Sequence, residues 1–174
     1  MDRKIEFTDD DRVKTDEFAK KSTPTTFNRR KVSRDEHERN IRIGKLGEIA
    51  FAKFLKANNK SLLGSDDMFT VWDDIYTVDK MDFKTTDNKT IDIKTASQDF
   101  HTRILVPHDQ YEQQRKDYYV GVRISADEKT AEVIGFVARQ SLMRCKKGGY
   151  PSYAIGLNKL KDISELLEKI PSNS

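Results

Sequence analysis

Met81-Asp82-Phe83-Lys84, then Thr85-Thr86-Asp87-Asn88-Lys89, then Thr90-Ile91-Asp92-Ile93-Lys94 is the stretch on which the reading of this chain turns. Both flanks alternate apolar and polar with period two, and the intervening run is polar, so the segment reads as a β-hairpin. Met81, Phe83, Ile91 and Ile93 fall on one face; Asp82, Lys84, Thr90, Asp92 and Lys94 fall on the other. A three-residue turn over Thr86 to Asn88, with Asn88 left-handed, sets Asp82 opposite Asp92. Cross-strand Cβ atoms in such a pair lie ~5 Å apart. Two carboxylates that close repel unless something neutralises them, and a divalent cation with a taste for hard oxygen, Mg²⁺, does so. Lys94, two residues on, falls beside the same point. Asp79 is a competing first acid, but it shares the parity of Met81 and Phe83.

The Asp-x-Lys pattern alone carries little. It occurs five times, at Asp2, Asp82, Asp87, Asp92 and Asp127, as chance would give in a chain that is 35% charged. Setting distinguishes the copy at Asp92. Ile91 and Ile93 mark a central strand, usually covered on both faces, where polar side chains need a reason. An exposed hairpin face of ordinary mixed charge is the alternative.

Upstream, Ser33-Arg34-Asp35-Glu36 has the form of a capping box and predicts a helix from Arg34 to Ala57. Ile41, Leu46, Ile49, Ala50, Phe54 and Leu55 supply its apolar stripe, and Asn58-Asn59 its stop. Glu48 lies in Gly44-Lys45-Leu46-Gly47-Glu48. Two glycines inside a helix each cost about 1 kcal/mol against alanine, which close approach to a sheet would justify. A plain surface glutamate is the alternative for Glu48.

Elsewhere, strands are expected at Phe69–Trp72, Ile75–Val78, Tyr118–Ile124, Ala131–Val137 and 153–157. Helical segments are expected at Gln110–Lys116, Arg139–Arg144 and Leu160–Ile170. The fold class is therefore α/β (α+β), a mixed sheet with helices. Residues 1–32, charge-dense and weakly periodic, are expected to form an arm or loosely packed extension, with residues 33–174 as one domain. The basic cluster Arg29-Arg30-Lys31 and Arg34 is either a solvated tether or a phosphate-contacting arm.

Bulk properties narrow the class by exclusion. Net charge is only +3, so the total says little about partners. One cysteine rules out an internal disulfide and makes a cysteine-based zinc site untenable. His37, His101 and His108 show no metal-ligand spacing. No apolar run approaches the ~18 residues of a membrane span, and the charged residues from Asp2 onward hold no signal-peptide core. A reducing, cytoplasmic setting is the expectation.

Gly44-x-x-Gly47-Glu48 on a first helix, Asp82, and Ile91-Asp92-Ile93-Lys94-Thr95 on a hairpin strand together resemble the PD-(D/E)XK nuclease superfamily, which includes restriction enzymes, Holliday-junction resolvases and phage nucleases. The resemblance covers roughly residues 40 to 125. Met81 stands where the motif's name has proline. The resemblance implies a restriction-endonuclease-like core and metal-dependent cleavage of phosphodiester bonds. It implies Mg²⁺, with Mn²⁺ as a substitute, held by Asp82, Asp92 and the carbonyl of Ile93, and Glu48 completing the site. Lys94 would orient the attacking water and stabilise charge at phosphorus. The expected substrate is DNA, duplex or branched, cut internally by a homodimer without a small-molecule cofactor. A non-catalytic nucleic-acid-binding module and an RNA-directed nuclease are the alternatives. Lys84, Arg103, Gln113, Lys146 and Lys147 are the candidate nucleic-acid contacts.

Overall fold

The computed structural model describes residues 1–26, 28, 31–61, 83–147 and 149–173. The strands expected at Phe69–Trp72 and Ile75–Val78, and the residues Arg29, Arg30, Asp79 and Asp82, lie outside the described residues.

The expected long helix is α2, Arg34–Ala57. Ser33 Oγ accepts the Glu36 N–H at 3.2 Å, and past Ala57 the Asn58 N–H returns to the carbonyls of Phe54 and Leu55 before Asn59 turns left-handed at φ 54°. Its buried face holds Ile43, Leu46, Ile49, Ala50, Phe51, Phe54 and Leu55. Ile43 and Phe51 extend the stripe read from sequence, while Ile41 is only half-buried.

That face lies on a five-stranded mixed sheet in the order β1-β6-β5-β3-β2. The strands are β1 Lys4–Glu6, β2 Phe83–Lys84, β3 Thr90–Ala96, β5 Tyr118–Ile124 and β6 Thr130–Ala138. β3 and β5 run parallel, and the other pairings are antiparallel. The core between sheet and α2 takes Phe83 and Ile91 from the hairpin, Val120 and Val122 from β5, and Ile163, Leu166 and Leu167 from α4, Ile163–Leu167. Phe83 meets Phe51 edge-on, ring centroids 5.0 Å apart. Each such side chain contributes about 1.5–3 kcal/mol through burial.

The opposite face of the five-stranded sheet is covered by a second sheet of three antiparallel strands, β4-β8-β7. These are β4 Arg103–Pro107, β7 Met143–Lys147 and β8 Tyr150–Gly156. Ile104, Val106, Tyr119, Val137, Leu142 and Leu157 form the core of this layer. α3, His108–Gln113, follows β4 directly and starts two residues before the helix expected from Gln110. The segment expected as helical at Arg139–Arg144 is a single 3-10 turn, Arg139–Ser141, that leads into β7. The expected C-terminal helix is confined to α4, because Leu160 is extended and Asp162 caps the helix start by accepting the Ser164 N–H.

The N-terminal region departs from the expected loose arm. β1 pairs with β6 in the register Lys4↔Glu132, and Ile5 and Phe7 enter the main core. Thr8 caps α1, Asp9–Ser22, through a complete capping box with Asp11. α1 then buries Thr15, Phe18, Ala19 and Ser22. Lys53 of α2 pairs with Asp11, and Arg42 with Glu128. The Asp11 carboxyl is held below its ordinary range: burial pushes it up, but the Lys53 ammonium and the Thr8 N–H outweigh that. No described helix is long and apolar enough to cross a membrane.

Candidate active site

The hairpin has the register expected of it. Phe83 faces Ile91 and Lys84 faces Thr90. The Asn88 N–H donates to the Thr85 carbonyl at 3.0 Å, the Thr85 N–H donates to Lys89 at 3.0 Å, and Asn88 is left-handed at φ 58°. This is a type I turn closed by a bulge, the three-residue connection read from sequence. Thr85 is buried and its hydroxyl accepts the Lys89 N–H at 3.0 Å, which rigidifies the turn.

β3 is set against β5 by Asp117. One of its carboxylate oxygens accepts from the Thr90 N–H at 3.0 Å and the Thr90 hydroxyl at 3.2 Å, while its own N–H donates to Thr90 O at 3.1 Å. From that anchor the ladder runs Ile91↔Tyr118 to Ala96↔Arg123. Asp117 was not among the expected site residues; its only sequence signal is an acid directly before a strong strand.

Along β3 the two faces separate as the alternation requires. Ile91, Ile93 and Thr95 face α2. A Cβ added to Gly47 would lie 2.1 Å from Thr95 Cγ2, so Gly47 is what lets the helix sit on the strand. Gly44 plays no such part, since nothing lies within 4 Å of a Cβ there.

Asp92 and Lys94 project from the other face. Lys94 Nζ lies 2.7 Å from an Asp92 carboxylate oxygen, 3.2 Å from Gln110 Oε1 of α3, and 5.8 Å from the Tyr119 ring centroid. An ammonium has three N–H donors, and Asp92 and Gln110 engage two. The Asp92 and Lys94 side chains are 24% and 20% exposed, enough for a solute to reach them. The contact of Gln110 with Lys94 has no sequence signal, since in sequence this segment offers only a helix and Gln113 as a candidate nucleic-acid contact.

Glu48 belongs to the opposite side of β3, on the helix that covers Ile93 and Thr95. It pairs with Lys45, whose side chain is only 6% exposed and whose Nζ lies 4.3 Å from the Phe18 ring centroid. The structure thus brings Asp92 and Lys94 into contact and places Glu48 beside the same strand, across its other face. Among the described residues no group of three or more His, Cys, Asp or Glu is arranged to hold a metal ion. Of the expected ligands, Asp82 lies outside the described residues.

The candidate nucleic-acid contacts scatter. Lys84 is exposed and shares the face of Thr90 and Asp92. Gln113 is exposed at the end of α3. Lys146 is exposed on β7, opposite Pro151. Lys147 lies opposite Tyr150, and its side chain is outside the described residues. Arg103 starts β4, at the end of the second sheet away from α3.

No protein-family model matches the chain, and a search of curated proteins finds no match.

Proposed function

We propose that the chain is a metal-dependent endodeoxyribonuclease with a restriction-endonuclease-like core, Asp92 and Lys94 standing at its centre. The contact of Asp92 with Lys94, on a strand paired on both sides and open to solute on one face, carries this reading. Charged side chains in a covered layer need compensation, and phosphodiester chemistry gives them employment. Asp92 offers hard oxygen donors of the kind Mg²⁺ takes. The Ile93 carbonyl and Asp82 would complete the ligand set, while Glu48, paired with Lys45 across the strand's other face, stands outside it. The observed hairpin register, one pair short of Asp82, is the one that a pairing of Asp82 with Asp92 requires.

When bound, the cation would polarise a phosphoryl oxygen and acidify a water. Lys94 is held by Asp92 and Gln110, and its ammonium can stabilise negative charge developing at phosphorus. Gln110 acts on the reaction only through Lys94 and is a positioning residue. Cutting both strands of a duplex needs two such centres, hence a homodimer.

The test is incubation with supercoiled plasmid, linear duplex, branched DNA and RNA, in Mg²⁺ or EDTA. Wild type should cut DNA only with the metal. Lys94→Ala should lower the rate by roughly 10²–10³, the cost of removing one preorganised donor, and Asp92→Ala by at least as much. Equal rates in all three proteins would sink the assignment. Binding without cleavage of any substrate would favour a non-catalytic module, and cleavage of RNA alone would redirect it.

A further inference from the structure

At the end of the second sheet remote from α3 lies a cavity of about 700 Å³. Arg103 of β4, Arg123 of β5, Arg144 of β7 and Lys159 line it together with Thr102 and Asn158, and among the described residues no carboxylate does. Arg103, Arg144 and Lys159 are exposed, and Arg123 is half-buried. Arg123 donates to the His101 carbonyl at 3.3 Å, and none of the four cations has a carboxylate partner among the described residues. Arg3, Arg12, Arg42 and Arg139 are by contrast each paired with an acid, whereas Arg34, Arg39 and Arg115 on the open surface share the lack of one among the described residues. Four like charges drawn from four different elements converge on one concavity. Their mutual repulsion is relieved only by a bound anion or by salt.

We propose that this groove binds the phosphates of a nucleic acid, as a track separate from the Asp92–Lys94 centre. The proposal deepens the nuclease reading and rests on it for the identity of the strand. Arginine forks match phosphate oxygens in pairs, and arginine stays charged at every physiological pH. Phe100, 75% exposed, precedes the lining by two residues and stands edge-on to His101 at 4.7 Å. An exposed ring beside a cationic groove suits bases better than an acidic peptide.

The track also has a measurable offset from the candidate centre. Arg123 lies four residues beyond Tyr119 on β5, and these residues face Ala96 and Asp92 respectively across the parallel ladder. At ~3.3 Å per residue the separation is about 13 Å, so the groove and the Asp92–Lys94 centre are distinct places on one sheet.

The experiment is fluorescence anisotropy in EDTA, with a labelled 12-nucleotide single strand titrated at several salt concentrations. Wild type is compared with Arg103→Ala/Arg144→Ala and with a control, Lys20→Ala/Lys21→Ala on α1, each checked for folding by circular dichroism. The groove variant should bind at least tenfold more weakly at low salt. Its log K against log salt slope should be shallower by about 1.4, at ~0.7 per lost phosphate contact on a single strand. The control should bind as wild type does. Unchanged affinity and slope in the groove variant would overturn the proposal, as would displacement of the oligonucleotide by poly-glutamate at equal charge. Because binding is read without metal, the two readings separate. Cleavage by wild type with unchanged binding by the groove variant removes the track and keeps the nuclease. Weakened binding by the groove variant with no cleavage by wild type does the reverse.

Discussion

Replacing Gly47 with alanine tests how α2 is seated on β3. The new methyl would lie 2.1 Å from Thr95 Cγ2, short of an ordinary carbon contact of ~3.5–4.0 Å by roughly 1.5 Å. Thr95 is β-branched and stiff at χ1, so the strain cannot be shed by a rotamer change alone. Overpacking of this kind costs about 1–3 kcal/mol, and the stiff neighbour argues for the upper part of that range. Alanine returns about 1 kcal/mol of helix propensity. The net loss is about 1–2 kcal/mol, or a fall in Tm of roughly 2–8 °C for a chain of this size. Urea titration followed by circular dichroism reads the same quantity as a shift in midpoint at constant slope. Thr95→Ser deletes Cγ2 and leaves Ile93 Cγ2 at 3.4 Å and Thr95 Cβ at 3.7 Å as the nearest atoms, both ordinary contacts. In that background Gly47→Ala should cost nothing, a coupling of about 1–2 kcal/mol. Gly44→Ala, with nothing within 4 Å, should stabilise by about 0.5–1 kcal/mol. A Gly47→Ala protein as stable as wild type, or one that Thr95→Ser does not rescue, would refute the close seating of helix on strand.

Asn88 is left-handed at φ 58°, so Asn88→Ala should destabilise by about 1 kcal/mol while Asn88→Gly stays within a few tenths of wild type in the same urea assay. Asp117→Ala removes the carboxylate that accepts two bonds from Thr90 and should cost about 1.5–3 kcal/mol; hydrogen exchange should quicken first at the Thr90 amide. Asp162 is held at about 2, against an ordinary 3.8, by the Ser164 hydroxyl, the Ser164 N–H and the Arg3 guanidinium. A depressed carboxyl stabilises the fold above its unfolded value and ceases to as pH falls through its folded one, so the loss should fall between about 3.8 and about 2. In Arg3→Ala a carboxyl titration by NMR should find Asp162 raised only part of the way to 3.8, because the Ser164 bonds are the larger cause.

What could be read in the sequence was whatever obeys a local period. The β2–β3 hairpin alternates cleanly, and α2 carries both a cap and a seven-residue apolar face, so both emerged with their register or bounds. α1 escaped because its buried face, Thr15, Phe18, Ala19 and Ser22, has helical spacing but only one large apolar side chain. β1 is three residues long with one buried member, Ile5, and β7 reads Met-Arg-Cys-Lys-Lys, with no alternation to see. The same limit divides the site. Asp92 and Lys94 share a strand face, which parity gives at once. Gln110 meets Lys94 only because β4 ends at Pro107 and α3 starts immediately after it. The cationic groove takes its residues from positions 103, 123, 144 and 159, and no local window contains more than one of them.

The pairing of β1 with β6 bears on the order in which the molecule is made. Arg3 donates to the carbonyl of Ile134, a residue 131 positions later. At ~5–20 residues per second, synthesis takes roughly 7–25 s to supply that partner after Arg3 has been made. For that interval β1 has no strand to join, while α1 can already fold back on α2. β1 is thus among the last elements to be locked in place. A bulky domain fused directly ahead of β1 would press on the closing step of assembly and leave the hairpin, whose strands are near neighbours in the chain, largely undisturbed.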